Sequence, residues 1–227
     1  MKKISLITLL ACLTIAASSQ SLLPIKYGIK AGLNIANIIS TPTDEVKNIT
    51  SSSKIGITGG FYMEIALNDK WYINPELVYS QKGTSFNYDY THDWNPNERW
   101  EYSTTNDLSL AYLELNPMIS YKTNNKFSLN IGPSVAFLIS HNYIYEQLPK
   151  NQHTLSDGEF YEESLDVGLN FGVSYYINED LLIDSKLCVG NINIGAISRP
   201  IDIKVDPPTP AYTLKNRAIV FSLAYLF

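Results

Sequence analysis

Residues 164–177 alternate between two kinds of side chain without a break. The odd positions are Leu165, Val167, Leu169, Phe171, Val173, Tyr175 and Ile177; the even ones are Ser164, Asp166, Gly168, Asn170, Gly172, Ser174 and Tyr176. Period two is the signature of a strand with two unlike faces. The pattern recurs with Phe127, Leu129, Ile131, Pro133, Val135, Phe137 and Ile139 against Ser128, Asn130, Gly132, Ser134 and Ala136. It appears again with Ile219, Phe221, Leu223, Tyr225 and Phe227 against Ala218, Val220, Ser222 and Ala224. The bulky face carries no charge, and the opposite face is small or polar. A soluble barrel turns its bulky apolar residues inward and its charges outward. This pattern fits the reverse, with acyl chains outside and a narrow polar interior.

Period-two segments fall at residues 26–39, 54–67, 71–86, 108–122, 127–143, 161–177, 181–197 and 213–227, so eight strands are expected. Their connectors sort by length. Asn68-Asp69-Lys70, Thr123-Asn124-Asn125-Lys126 and Asn178-Glu179-Asp180 are tight polar turns, whereas 40–53, 87–107, 144–160 and 198–212 are long. Short and long strictly alternate, as in an up-and-down barrel with short periplasmic turns and long external loops.

The first residues bear on where such a chain goes. Met1-Lys2-Lys3 precedes an apolar run over residues 4–17, and the small residues Ala16-Ala17-Ser18-Ser19 follow. That order predicts a signal peptide over 1–19, cleaved after Ser19, ahead of a barrel domain over 20–227. Leu9-Leu10-Ala11-Cys12 is a poor lipoprotein signal, because Leu10 stands where a small residue is usual. Removal of Cys12 leaves Cys188 alone, so no internal disulfide can form. The formal net charge of -5 argues against nucleic acid as a partner. A mean hydropathy of -0.07 looks soluble, but alternating strands average out in this way.

The small face carries the charges found within strands: Lys30, Glu64, Glu76, Glu114, Asp166, Asp184 and Lys186. Unpaired charges in a tight interior are costly, so a lumenal network is expected with Lys30 and Lys186 set among the acids. Acids outnumber bases, and one carboxyl is expected to hold a proton or a water. Either the network fills and stiffens the barrel, or it forms a proton or ion path. Gly28, Gly32, Gly56, Gly60, Gly132, Gly168, Gly172 and Gly190 share that face and leave room for larger polar groups. Aromatic residues gather near the strand ends. Trp71, Tyr72, Tyr121, Phe127, Tyr176, Tyr225 and Phe227 suggest a belt at the short turns, and Tyr79, Phe86, Tyr143 and Phe160 one at the long loops.

Tyr27-Gly28-Ile29-Lys30-Ala31-Gly32-Leu33-Asn34 resembles the opening strand of the PorT-like outer-membrane β-barrel family of Bacteroidetes. The stretch from Ile73-Asn74-Pro75-Glu76 to Gly83 is similar to that family's third strand. Tyr112-Leu113-Glu114-Leu115-Asn116-Pro117 is similar to its fourth, with Asn116 inserted before the proline. The resemblance implies an eight-stranded transmembrane barrel of the OmpA/OmpX-like kind. Some members serve a protein secretion system, so an envelope or secretion-machinery partner is implied as well.

Chemistry is sparse. His92, His141 and His153 stand without a Ser or Cys partner at a recognisable spacing, and metal-ligand spacing is absent, so neither catalysis nor a cofactor is expected. The second long connector mixes Tyr88, Tyr90, Trp94, Trp100 and Tyr102 with Arg99 and acids. It reads either as a contact surface for an external ligand or as a hairpin extending the wall. The expectation is a monomeric outer-membrane barrel with a filled lumen; a narrow channel and a soluble lipocalin-like binder are the alternatives.

Overall fold

The computed structural model describes residues 23–42, 50–95, 98–149, 160–162, 164–190, 194–197 and 212–227; the expected signal peptide and residue His153 lie outside them. The described strands are β1 (Ile25–Pro42), β2 (Thr50–Ala66), β3 (Trp71–Asn95), β4 (Glu98–Lys122) and β5 (Phe127–Pro149). They continue with β6 (Phe160–Glu162), β7 (Leu165–Tyr176), β8 (Leu181–Gly190), β9 (Gly195–Ile197) and β10 (Tyr212–Leu226). Eight of them close a barrel in the order β1-β10-β8-β7-β5-β4-β3-β2, every pairing antiparallel.

The barrel is inside out relative to a soluble one. Leu169, Phe171 and Val173 are 50%, 44% and 45% exposed, whereas Asp166 and Asn170 on the same strand are 3% and 0% exposed. Ile29, Ile57, Phe61, Leu115, Leu129, Leu187 and Phe221 continue the exposed apolar wall around the circumference. So much apolar surface facing water would be strongly unfavourable; the same surface facing acyl chains is not. The tight turns form as their asparagines require. Asn68, Asn124 and Asn178 each accept, at the side-chain oxygen, backbone N–H bonds from the residues two and three positions on.

Three elements differ from the expectation. The second long connector is not a loop: β3 and β4 run through it as one hairpin, pairing Tyr88↔Thr104, Tyr90↔Tyr102 and Asp93↔Arg99. Beyond the membrane a strand has no acyl chains on one side, so its sequence loses the apolar alternation by which strands are read. The expected sixth and seventh strands are each broken. β6 and β9 form a separate two-stranded sheet, and the barrel ladders stop at Phe137↔Leu165 and Val189↔Arg217. The aromatic belts are also thinner than expected. Tyr176 and Phe86 are buried in the lumen at 7% exposure each, because their even numbers place them on the inner face.

Closure joins the first strand to the last described one, and glycine makes the approach possible. A Cβ on Gly32 would lie 2.1 Å from the Phe221 carbonyl oxygen, and one on Gly28 would lie 2.4 Å from that of Tyr225. These obstacles are backbone and cannot swing aside. Gly32→Ala is therefore expected to cost about 1–3 kcal/mol through overpacking. Gly59→Ala, whose nearest obstacle is 3.2 Å away, is the milder control. Urea unfolding of the two variants in lipid vesicles checks this; equal midpoints would remove the crowding explanation.

Candidate functional site: the polar column inside the barrel

The interior is layered along the barrel axis. At the turn end lies a vestibule of about 700 Å³, lined by Lys26, Glu64, Tyr72, Lys122, Lys126 and Tyr176 among others. Lys122 Nζ lies 3.0 Å from Glu64 Oε1 and 3.9 Å and 4.5 Å from the ring centres of Tyr72 and Tyr176. Tyr176 Oη donates to Glu64 Oε2 at 2.5 Å. A mostly apolar layer of Tyr62, Tyr176, Leu182, Ala224 and Leu226 closes the vestibule from above.

The first charged layer follows. Glu76 receives Lys30 Nζ on Oε1 and Lys186 Nζ on Oε2, both at 2.5 Å. Lys30 also reaches Asp184 Oδ2 at 2.7 Å. The other oxygen of Asp184 accepts from Ser174 at 2.8 Å and Asn130 at 3.3 Å. A carboxylate bridging two ammonium groups, with no solvent between them, holds β1, β3 and β8 at a fixed separation. The cavity beside it, bounded by Tyr62, Asn74, Glu76, Asp184 and Lys186, measures about 10 Å³. That is space for one water at most.

A second charged layer lies higher. Lys82 Nζ is 2.7 Å from Glu114 Oε1 and 4.0 Å from Asp166 Oδ2, and Asp166 Oδ2 accepts from Asn216 Nδ2 at 2.9 Å. Asn216 Nδ2 also donates to Tyr112 Oη at 3.1 Å. Asn116 Nδ2 donates to Glu76 Oε2 at 3.5 Å, and Asn170 Nδ2 donates in turn to Asn116 Oδ1 at 2.9 Å. Above them an apolar cluster of Ile38, Phe86, Leu108, Leu110, Tyr112, Ala136 and Ile194 fills the external end.

All seven charged residues expected on the small face, Lys30, Glu64, Glu76, Glu114, Asp166, Asp184 and Lys186, lie inside the barrel and are at least nine-tenths buried. Their acids do not share Lys30 and Lys186 alone, because Lys82 joins them at 7% exposure. The sequence reading missed it, although Lys82 follows Glu76 on β3 at an even spacing and so on the same face. Lys82 halves the deficit of positive charge: Lys30, Lys82 and Lys186 face Glu76, Glu114, Asp166 and Asp184, while Glu64 has Lys122 at the mouth. One carboxyl group remains in excess, and Asp166 has the longest of the interior ion pairs.

The other expected group is Tyr88, Tyr90, Trp94, Arg99, Trp100 and Tyr102. Their backbones lie on the β3–β4 hairpin, and their side chains fall outside the described residues. Lower on the outer wall, Lys54 reaches across Gly83 to pair with Asp107 and to donate to Ser109 at 2.7 Å. Asp107 stands toward the external end of β4, beyond the apolar positions Leu113 and Leu115, and is paired with Ser85 on β3. Desolvation would raise its carboxyl, but hydrogen bonds from Lys54 and Ser85 outweigh that and hold it below the usual carboxylate range. Among the described residues no group of three or more His, Cys, Asp or Glu could hold a metal ion.

Several solved outer-membrane barrels are similar to the chain in fold at low identity. The outer membrane protein OprG from Pseudomonas aeruginosa is 14% identical, with a TM-score of 0.47 over 90% of this chain and 97% of that one. Ail, the attachment invasion locus protein of Yersinia pestis, is 10% identical, with a TM-score of 0.41 over 89% and 98%. Outer membrane protein W of Escherichia coli is 15% identical, with a TM-score of 0.35 over 91% and 100%. No curated protein matches the sequence. A family model described as outer membrane protein beta-barrel domain matches residues 16–194, most of the chain. With its lipid-facing wall and filled polar interior, the chain belongs to that outer-membrane β-barrel family.

Proposed function

We propose that this outer-membrane barrel is a non-conducting monomer that acts through its external surface, in the manner of a PorT-like barrel with an envelope or secretion-machinery partner. The observation that carries the reading is the filled lumen. Two charged layers are closed between two apolar ones, and the cavity beside the lower charged layer is about 10 Å³. A hydrated ion passing through would have to break buried ion pairs and displace apolar side chains at both ends, each step costing several kcal/mol. What remains for recognition is the external part: the β3–β4 hairpin, with its aromatic and acidic sequence, and the strands beside it. The motifs at Tyr27–Asn34 and Ile73–Gly83 support the PorT-like branch.

Purified barrel in a planar bilayer is expected to give no current steps above leak; regular steps would sink the closed reading. Affinity capture from intact cells, with a tag in the β3–β4 hairpin, is expected to enrich secretion components. Capture that returns only the barrel itself would remove the secretion role.

A further inference from the structure

Two cations on the outer wall have no acid to answer them, and we infer that they hold a phosphate on the headgroup of an outer-leaflet glycolipid. Among the described residues, the strand lysines Lys26, Lys30, Lys54, Lys82, Lys122 and Lys186 each have a carboxylate within 4.0 Å. Lys215 and Arg217 on β10 have none among those residues. Both share the parity of Ile219 and Phe221 and so face outward; Arg217 is exposed and Lys215 is half-buried. Arg217 lies in register with Asn37 on β1 and Val189 on β8, so neither neighbouring strand offers a countercharge at that level.

Position and charge select the occupant. The outward series on β10 is apolar from Phe227 up to Ile219, and Arg217 is the next member of that series. From Phe227 to Arg217 the chain rises about 25 Å, at about 3.3 Å per residue and a tilt of about 40°, which is the height of the apolar band of such barrels. The two cations therefore stand at headgroup level on the long-loop side, against the leaflet whose lipids carry phosphorylated sugars. Side chains two residues apart on one strand face are about 7 Å apart, and like charges so placed repel unless an anion lies between them. A phosphate supplies that anion: the Arg217 guanidinium matches two of its oxygens side by side, and the Lys215 ammonium reaches a third. A phosphate tethered to acyl chains is held at this depth, whereas a free one is not. No other strand presents an outward cation without an acid among the described residues, so the site belongs to one side of the barrel and not to the whole rim.

The inference rests on the outer-membrane location and not on the proposed protein partner. Barrel purified in a mild detergent is mixed with a phosphorylated outer-membrane glycolipid, or with the same glycolipid after phosphatase treatment, and native mass spectrometry counts what stays bound. One phosphorylated molecule per barrel is expected, with about tenfold less retention of the dephosphorylated form. Lys215→Gln combined with Arg217→Gln is expected to lower retention of the phosphorylated form about tenfold too, through the same lost charge-assisted bonds. Lys215→Arg, which keeps the charge, is expected to retain it as wild type does, and so is Lys26→Gln at the periplasmic rim. Heat-modifiable migration verifies that every variant is folded. Retention that ignores the phosphates, that survives the double substitution, or that favours a glycerophospholipid over the glycolipid would each overturn the site. So would loss of a co-purifying protein from the double variant with glycolipid retention unchanged, which would assign the cations to a protein contact. None of those results would touch the closed-lumen reading, which the bilayer recordings test separately.

Discussion

Glu76→Gln is expected to destabilise the barrel by about 3–5 kcal/mol, the usual result of removing one partner from a buried ion pair. Asp166→Asn, which removes the same formal charge from the same lumen, is expected to cost under about 1 kcal/mol. The contrast separates two accounts of the interior. If net charge governed stability, losing either acid would help, since the two charged layers hold one carboxyl more than they hold lysines. If local pairing governs, Glu76 matters far more, because it receives both Lys30 and Lys186 at 2.5 Å. Without it Lys30 keeps Asp184, and Lys186 keeps no acid among the described ion pairs. Asp166, by contrast, lies 4.0 Å from a lysine already committed to Glu114 at 2.7 Å. Urea unfolding in vesicles, followed by tryptophan fluorescence, gives both values. Adding Lys186→Met to Glu76→Gln is expected to restore much of the loss by removing the stranded ammonium. Equal costs for Glu76→Gln and Asp166→Asn would refute the pairing account.

Leu169→Arg is expected to cost about 2–4 kcal/mol, as an arginine does on a barrel wall at the membrane midplane. Leu169 is half exposed and sits midway along β7, far from water at either rim. The same change at Leu165, the external end of β7, is expected to cost no more than about 1 kcal/mol, because a long side chain there can reach the headgroups. A soluble barrel would give the opposite result, with arginine tolerated at both exposed positions. The measurement is again unfolding in vesicles, and a flat depth profile would contradict the bilayer placement.

The membrane-spanning wall was legible in the sequence because two solvents act on it. Acyl chains select Leu165 through Ile177 on one face, and a narrow lumen selects Asp166, Gly168 and Asn170 on the other, so each strand carries its own register. Legibility faded where one of those solvents is missing. Above the membrane the β3–β4 hairpin meets water on its outer side, and residues 87–107 read as a loop although they are paired strand. Parity places the interior charges, and Lys82 shares the parity of Glu76 on β3 and so its place in the lumen. Tyr176 and Phe86 show that nearness to a strand end does not by itself put an aromatic residue in a belt, because parity turns both inward. The pairing pattern within the lumen was not legible, because it depends on how far strands are staggered around the cylinder, and that stagger leaves no mark on any one strand.

The seam between β1 and β10 has a kinetic consequence. Gly28 pairs with Leu226 and Asn34 with Val220, partners separated by most of the chain, and until they meet the nascent sheet has two bare edges. Assembly that depends on contacts so distant in sequence is slow, and the exposed edges invite association with other chains meanwhile. The half-formed sheet therefore keeps both edges open until β1 meets β10, and pairing at Gly28 and Gly32 removes the two of them in one step.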